Sequence, residues 1–178
     1  MTSILRGTLA ALVFTSTVWL AAPAAKADDR DTCMKESGDE AIAACSRAIN
    51  SGRYSGRQLA VLLTNRCAEW PEKQENDKAI ADCSQALQLD LSNAAAFSNR
   101  GHAYYAKRQY DRAIEDLNQA IRLDPNDAIA FYNRGISWEL KRDLQRALAD
   151  FKKFSEMAPS DPDGPKAIER VTKALRRR

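Results

Sequence analysis

The chain has 178 residues, of which 27 are Lys or Arg, 24 are Asp or Glu and one is His, giving a formal net charge of +3. This length is typical of a single domain, even if a short N-terminal targeting segment is removed. The nearly balanced charge gives no sign of nucleic-acid binding, so we expect no nucleic-acid partner.

Residues 1–27 have the pattern of a secretory signal peptide. Arg6 precedes an uncharged, mostly apolar run over residues 9–20, and Ala25 and Ala27 supply the small residues of a cleavage site. Such a run is too short for a comfortable membrane span. We therefore expect cleavage after Ala27 and a periplasmic or secreted protein without a stable membrane span. An uncleaved membrane anchor is the alternative.

Residues 28–59 are predicted to form an atypical N-terminal helical hairpin and a linker. The segment EAIAACSRAI at 40–49 aligns with KAIADCSQAL at 78–87, an offset of 38 residues. Residues 31–39 fit a shortened first helix and a turn. The Gly- and Ser-rich segment SGRYSGRQ at 51–58 is typical of a connector.

Residues 60–161 contain three copies of one 34-residue pattern, at 60–93, 94–127 and 128–161. We number the places of each copy from 1 to 34. Places 4, 8 and 11 share one face of a first helix, and places 20, 24 and 27 share one face of a second helix. A fixed period of 34 indicates a helix–turn–helix solenoid. The residues at these places are Leu63, Cys67, Trp70, Ala79, Cys83 and Ala86, then Phe97, Gly101, Tyr104, Ala113, Leu117 and Ala120, then Phe131, Gly135, Trp138, Ala147, Phe151 and Phe154.

Two proline-containing segments modify this pattern. Pro71 follows Trp70 directly, so the first helix of copy 60–93 should end early or kink there. Residues 162–178 open with a Pro- and Gly-containing break and continue as a helix with a basic tail, which we predict to cap the solenoid. The tail is interpreted as favourable charge at a helix C-terminus, with contact to an anionic surface as the alternative.

The pattern resembles the tetratricopeptide repeat family, with its W-x2-L-G-x2-Y…A-x3-F…A…P consensus. Place 7 departs, because Arg100 and Arg134 stand where the family usually has Leu. We interpret this departure as tolerated. The resemblance implies an all-α solenoid of antiparallel helix hairpins.

The resemblance further implies that the first helices line a concave groove through places 2, 5, 9, 12 and 13. Tyr105 and Tyr132 are the expected anchors for a peptide, and neither occupies a packing place of the repeat. An alternative is that Ile129, Ile136 and Leu140 only pack against neighbouring helices. The family's carboxylate clamp is not expected, because places 5 and 9 carry no Lys or Arg. The candidate groove residues are Thr64, Ser98, His102, Tyr105, Ile129, Tyr132, Ile136 and Glu139.

The four cysteines point to disulfides, because their even number follows a signal peptide. Cys67 and Cys83 take places 8 and 24, where the other copies place a small residue against a large one. Cys45 takes place 24 of its half-copy, with Cys33 on the preceding segment. We therefore expect the pairs Cys33–Cys45 and Cys67–Cys83. A zinc site is a poor alternative, since the spacings do not suit it.

The sequence contains no motif that indicates catalysis or a cofactor. His102 is the one candidate general base, and Ser98 lies four residues earlier on the same helix face. No acidic residue three or four positions away orients the imidazole ring, so a solvent-facing histidine is the preferred interpretation. Phosphate-loop, dinucleotide and metal motifs are missing. We expect a non-enzyme without cofactors.

Two functions fit these observations. The first is an exported interaction scaffold or adaptor that binds a peptide or partner helix in its groove. The second is a periplasmic chaperone or envelope assembly factor with broad client choice. Both make a protein or peptide the expected partner.

Overall fold

The computed structural model describes residues 29–177, which form successive helices without any strand. The all-α prediction is confirmed for this part of the chain. The predicted signal peptide at 1–27 and the terminal Arg178 lie outside the described residues. The helices are α1 (Asp29–Lys35), α2 (Gly38–Asn50), α3 (Gly56–Glu69), α4 (Asn76–Leu89), α5 (Ala94–Ala106), α6 (Tyr110–Leu123), α7 (Ala128–Leu140), α8 (Leu144–Met157) and α9 (Asp163–Leu175).

The helices pair into hairpins that stack in chain order. Helix α3 packs on α4, α5 on α6 and α7 on α8, and each second helix then packs on the first helix of the next hairpin. The first helices α3, α5 and α7 also pack against their neighbours in turn, whereas α4, α6 and α8 make no comparable contacts with one another. The first helices therefore line the inside of the curve.

The 34-residue period fixes where the helices of the last two copies begin. Helices α5 and α7 start 34 residues apart, as do α6 and α8. An Asn or Asp stands before three of these helices and satisfies one otherwise unpaired backbone N–H. The side chain of Asn93 accepts from the Ala96 N–H at 3.0 Å, and that of Asp127 accepts from the Ala130 N–H at 3.0 Å.

The first helix of the copy at 60–93 ends early, as Pro71 predicts. Helix α3 ends at Glu69, and a short 3₁₀ turn follows over Pro71–Lys73. The helix begins at Gly56, four residues before the period would place it, so it keeps a length of 14 residues. This extra turn accounts for the offset of 38. The connector predicted at 51–58 is therefore wrong at its end, because residues 56–58 are helical.

Each hairpin turn contains a residue in the left-handed backbone region at place 15. Gln74 and Arg108 both have φ of 60°, and Arg142 has φ of 65°. This conformation suits glycine, since other residues pay a steric penalty of about 1–2 kcal/mol there. The turn nevertheless carries long polar side chains in all three copies, and one of them, Arg108, borders the groove.

The two helices of a hairpin approach each other closely at place 8. A Cβ atom on Gly101 would lie 2.7 Å from Leu117 Cγ, and one on Gly135 would lie 2.8 Å from Phe151 Cε1. Glycine is required there because these distances leave no room for a side chain.

In the N-terminal half, disulfide-bonded cysteine pairs stand between the two helices of a hairpin, where the later copies have glycine against a large side chain. Cys67 and Cys83 have Cα atoms 5.6 Å apart, and those of Cys33 and Cys45 are 4.7 Å apart; the structure joins the sulfurs of both pairs. This is the pairing that the repeat places predict. All four cysteines are buried.

An arginine–aspartate pair recurs once per hairpin. Arg100 Nε lies 2.7 Å from Asp116 Oδ2, Arg100 Nη2 lies 2.8 Å from Asp116 Oδ1, and Nη1 donates to Ser84 Oγ of the preceding hairpin at 3.0 Å. The arginine at place 7 is therefore more than a tolerated departure from the consensus, because its side chain links three helices. The equivalent pairs are Arg66–Asp82 and Arg134–Asp150, with Nη1 bound to Ser46 and Asn118.

A lysine–aspartate pair links successive hairpins at the surface. Lys73 Nζ lies 2.8 Å from Asp39, one hairpin earlier. The same pairing recurs between Lys107 and Asp77 and between Lys141 and Asp111. The aspartates are largely exposed, so each pair contributes little stability, about 0–1 kcal/mol.

Helix α9 closes the C-terminal end of the solenoid by packing on α8. Ala167 and Val171 are fully buried, and the two helices approach so closely at Gly164 that a Cβ atom there would lie only 3.0 Å from Ser155 Cβ. Arg170 reaches back to Glu139 on α7 with two contacts of 2.8 Å. The helix begins before Pro165, whose missing N–H is harmless within the first turn.

The arginine–aspartate pair gives a first prediction. Arg100→Leu leaves Asp116 buried without its cation and should cost about 2–3 kcal/mol, near the lower end for buried pairs because Arg100 is partly exposed. Adding Asp116→Leu should recover most of that loss. The free energy of unfolding in urea measures both. If the double variant is as unstable as the single variant, the loss does not come from the stranded carboxylate.

The cysteines give a second prediction. Non-reduced protein purified from the compartment where it is made should show no free thiol, and peptide mass mapping should find Cys33–Cys45 and Cys67–Cys83. Each bridge closes a short loop and should stabilise the fold by about 3 kcal/mol in the chain-entropy model. Alkylation of all four thiols without reductant would contradict the pairing.

Candidate partner-binding groove

The candidate groove is the inner surface of the first helices α3, α5 and α7. Corresponding places on these helices form rows that cross the stacked hairpins. The row at place 13 contains Glu72, Ala106 and Leu140, all of them exposed. The row at place 9 contains Ala68, His102 and Ile136, which range from exposed to half-buried.

Thr64 and Ser98 do not belong to the accessible surface, which corrects two of the predicted site residues. Thr64 is 5% exposed and Ser98 is 6% exposed. The Thr64 hydroxyl donates to the Ala60 carbonyl at 2.8 Å and accepts from Asn93 Nδ2 at 2.9 Å. Thr64 thus lies where the next hairpin begins, and its side chain joins two hairpins.

Tyr132 is a packing residue as well as a groove residue, which corrects the expectation that it lies outside the packing places. Its ring centroid is 4.8 Å from that of Phe154 and 5.6 Å from that of Phe151. Burial raises the pKa of Tyr132, and the negative charge of Asp163 adds to the increase. The ring is therefore part of the core beneath α9.

Tyr105 and His102 form the central part of the groove on α5. Their ring centroids are 6.0 Å apart and the rings are nearly parallel, at 18°. Burial lowers the pKa of His102, and the negative charge of Glu72 partly opposes that change. His102 is therefore neutral at pH 7, since its ordinary pKa of about 6.5 is already below that pH.

Helix α7 contributes an aliphatic stripe. Ile129 is 57% exposed and Leu140 is 48% exposed, while Ile136 between them is half-buried against the core of the last hairpin. The alternative that these residues only pack against neighbouring helices therefore describes Ile136 better than the other two. Glu139, beside Leu140, has its carboxylate bound by Arg170.

Sequence reasoning missed part of the groove rim. A shallow pocket of about 460 Å³ lies between the ends of α5 and α7 and is lined by Tyr105, Ala106, Arg108, Tyr110 and Leu140. Arg108 and Tyr110 belong to the hairpin turn and the second helix, outside the places assigned to the groove. They stand at places 15 and 17, within four residues of place 13, and this nearness in sequence is the signal that points to them.

The surface offers shape and apolar area rather than reactive groups. His102 stacks on Tyr105, and among residues 29–177 no three His, Cys, Asp or Glu side chains gather as a metal site. In the same part of the chain, no helix combines the length and apolar character needed for a membrane span. The prediction of a non-enzyme stays a prediction.

The fold and the groove define an α-solenoid of helix hairpins. A family model for the TPR repeat matches residues 72–108 and 101–137. Residues 72–137 are therefore tetratricopeptide repeats. The matched residues include the second helix of copy 60–93, all of copy 94–127 and the first helix of copy 128–161 up to residue 137.

Solved structures share this fold. The first TPR of Spaghetti (RPAP3), bound to the HSP90 peptide SRMEEVD, has a TM-score of 0.65 and 22% identity, over 70% of this chain and 98% of that chain. The second TPR domain of human RPAP3, in complex with the HSP70 peptide SGPTIEEVD, has a TM-score of 0.60 and 25% identity, over 64% and 94%. MamA has a TM-score of 0.67 and 20% identity, over 77% and 78%.

The position of Tyr132 gives a third prediction. Tyr132→Ala removes a ring packed on Phe151 and Phe154 and should cost about 2–3 kcal/mol, whereas Tyr132→Phe keeps the ring and should change stability by less than about 0.5 kcal/mol. Thermal unfolding followed by circular dichroism measures both. A parent-like melting temperature for Tyr132→Ala would show that the ring does not support the core.

Proposed function

We propose that this chain is a protein-interaction scaffold whose concave groove binds an extended peptide or a helix of a partner protein. The observation that carries this proposal is the exposed aliphatic stripe on α7. Ile129 and Leu140 are 11 positions apart in one helix, so they span about 16 Å at 1.5 Å per residue. Apolar side chains left exposed along a concave surface favour burial by a partner.

Tyr105 strengthens the proposal, because it stands beside this stripe on the neighbouring helix. Its ring is held by His102 on one side and by the core of the second copy on the other. A rigid aromatic ring with a polar tip suits a binding anchor, since little conformational entropy is lost on contact. Two proteins of similar fold are bound to peptides, the HSP90 and HSP70 peptides named above.

The proposed place of action is the periplasm or the exterior of the cell. The signal-peptide pattern at residues 1–27 supports this compartment, as does the pairing of all four cysteines, because disulfides persist in oxidising surroundings. The bridges would then help the scaffold to stay folded without cytoplasmic chaperones.

A chaperone or assembly factor with broad client choice is the second candidate function. It is favoured by the chemistry of the stripe, because aliphatic side chains bind apolar segments without selecting a particular sequence. A single partner recovered in stoichiometric amounts supports the scaffold. Suppressed aggregation of several unrelated unfolded proteins supports the chaperone.

The aliphatic stripe gives the fourth prediction. The double variant Ile129→Asp, Leu140→Asp should weaken binding at least about tenfold, because burying an unpaired carboxylate in the interface costs more than about 1.4 kcal/mol. The ligand is whichever partner affinity purification of the full chain recovers from the cell envelope, and titration calorimetry gives its affinity.

Leu91→Asp is the matched control. Leu91 is 74% exposed in the loop between α4 and α5 and lies on none of the first helices. This variant should bind like the parent. Equal affinities for the parent and the double variant would place the binding site outside the groove.

A further inference from the structure

The charges around the groove indicate what kind of peptide it accepts, an inference that rests on the proposed function. Places 2, 5, 9, 12 and 13 of α3, α5 and α7 and of the short turn after α3 carry no Lys or Arg. Of the cations nearby, Arg170 is bound by Glu139 and Lys73 by Asp39, while Arg108 stands in the turn after α5, at the edge of the groove. The first helices therefore present no positive charge to a ligand.

Glu72 is the carboxylate that remains available in this surface. It is exposed in the turn after α3, and none of the described cations forms an ion pair with it. His102, its electrostatic neighbour, does not neutralise it, because burial keeps the pKa of that histidine low. A partner cation placed there would gain an ion pair that the chain itself does not supply.

The other end of the same row carries an exposed aliphatic side chain, Leu140. Leu140 and Tyr105 line the 460 Å³ pocket at the ends of α5 and α7, and Arg108 borders it. An apolar side chain fits this pocket, while a partner Lys or Arg is repelled by Arg108. The row at place 13 is thus polarised, with an apolar end at Leu140 and an acidic end at Glu72.

We propose that the groove binds a peptide segment with an apolar anchor in the Leu140 pocket and a Lys or Arg opposite Glu72. Two steps between neighbouring helices at about 8–10 Å each separate these points by about 16–20 Å. An extended peptide covers that span in about five or six residues at 3.3 Å per residue. Peptides whose negative charges would face Glu72, such as the acidic SRMEEVD, bind poorly.

The first step of the test is a selection. Random dodecapeptides are displayed on phage and selected on the immobilised full chain, and sequences that also bind the Ile129→Asp, Leu140→Asp variant are discarded. We expect the remaining peptides to share an apolar residue and a Lys or Arg about five or six residues apart. Groove-dependent peptides enriched instead in Asp and Glu overturn the inference and leave the proposed function standing.

The second step is a charge exchange on one selected peptide, followed by fluorescence anisotropy. Replacing its Lys by Glu should weaken binding about three- to tenfold, and Glu72→Lys in the chain should restore most of the loss, because the ion pair is re-formed with reversed signs. Glu115→Lys on α6 makes the same change of charge on a second helix and should restore nothing. SRMEEVD should bind the Glu72→Lys variant more tightly than the parent.

The outcomes separate the two proposals. If no selected peptide discriminates between the parent and the Ile129→Asp, Leu140→Asp variant, the groove is not the binding site and the proposed function fails. If peptides depend on the groove but Glu72→Lys and Glu115→Lys act alike, the site is correct and the proposed role of Glu72 is overturned.

Discussion

The arginine–aspartate pair between places 7 and 23 is the interaction on which the geometry of this solenoid depends. In each copy the aspartate side chain is at most 10% exposed and the arginine side chain at most 20% exposed. Charges buried to this extent are tolerated only when their hydrogen bonds are nearly complete. The bidentate contact satisfies the carboxylate, and the third nitrogen binds a side chain of the preceding hairpin. One side chain therefore fixes both the packing within a hairpin and the rotation between hairpins.

This use of arginine also shapes the groove. The arginine at place 7 of each first helix binds side chains of second helices, so its positive charge points away from the inner surface. What remains on the inside is aliphatic and aromatic area with a few carboxylates. The structural network and the binding surface are thus two faces of the same helices, and the chemistry of one limits the chemistry of the other.

The sequence predicts the repeat well because the period is a local property. The 34-residue spacing placed α5 to α8, and Pro71 predicted where α3 ends. The charge pairs are not evident from the family pattern, because Arg100 and Arg134 stand where the consensus has leucine. The recurrence of Asp82, Asp116 and Asp150, each 16 residues after an arginine, was the signal that could have revealed them. The burial of Thr64 and Ser98 could not be predicted, because it depends on how closely the next hairpin approaches.

The two ends of the solenoid are closed by different physical means. At the C-terminal end, α9 buries Ala167 and Val171 against α8, as an additional helix would in a longer array. At the N-terminal end, α1 has only seven residues, too few to be stable alone or to bury much apolar area. A disulfide to α2 replaces the missing burial there, and the next hairpin exchanges its Gly–Leu type of contact for Cys67–Cys83. The Cys33–Cys45 bridge thus holds the short helix α1 in place at one end, while α9 packs on the other, and the groove-lining helices lie between them.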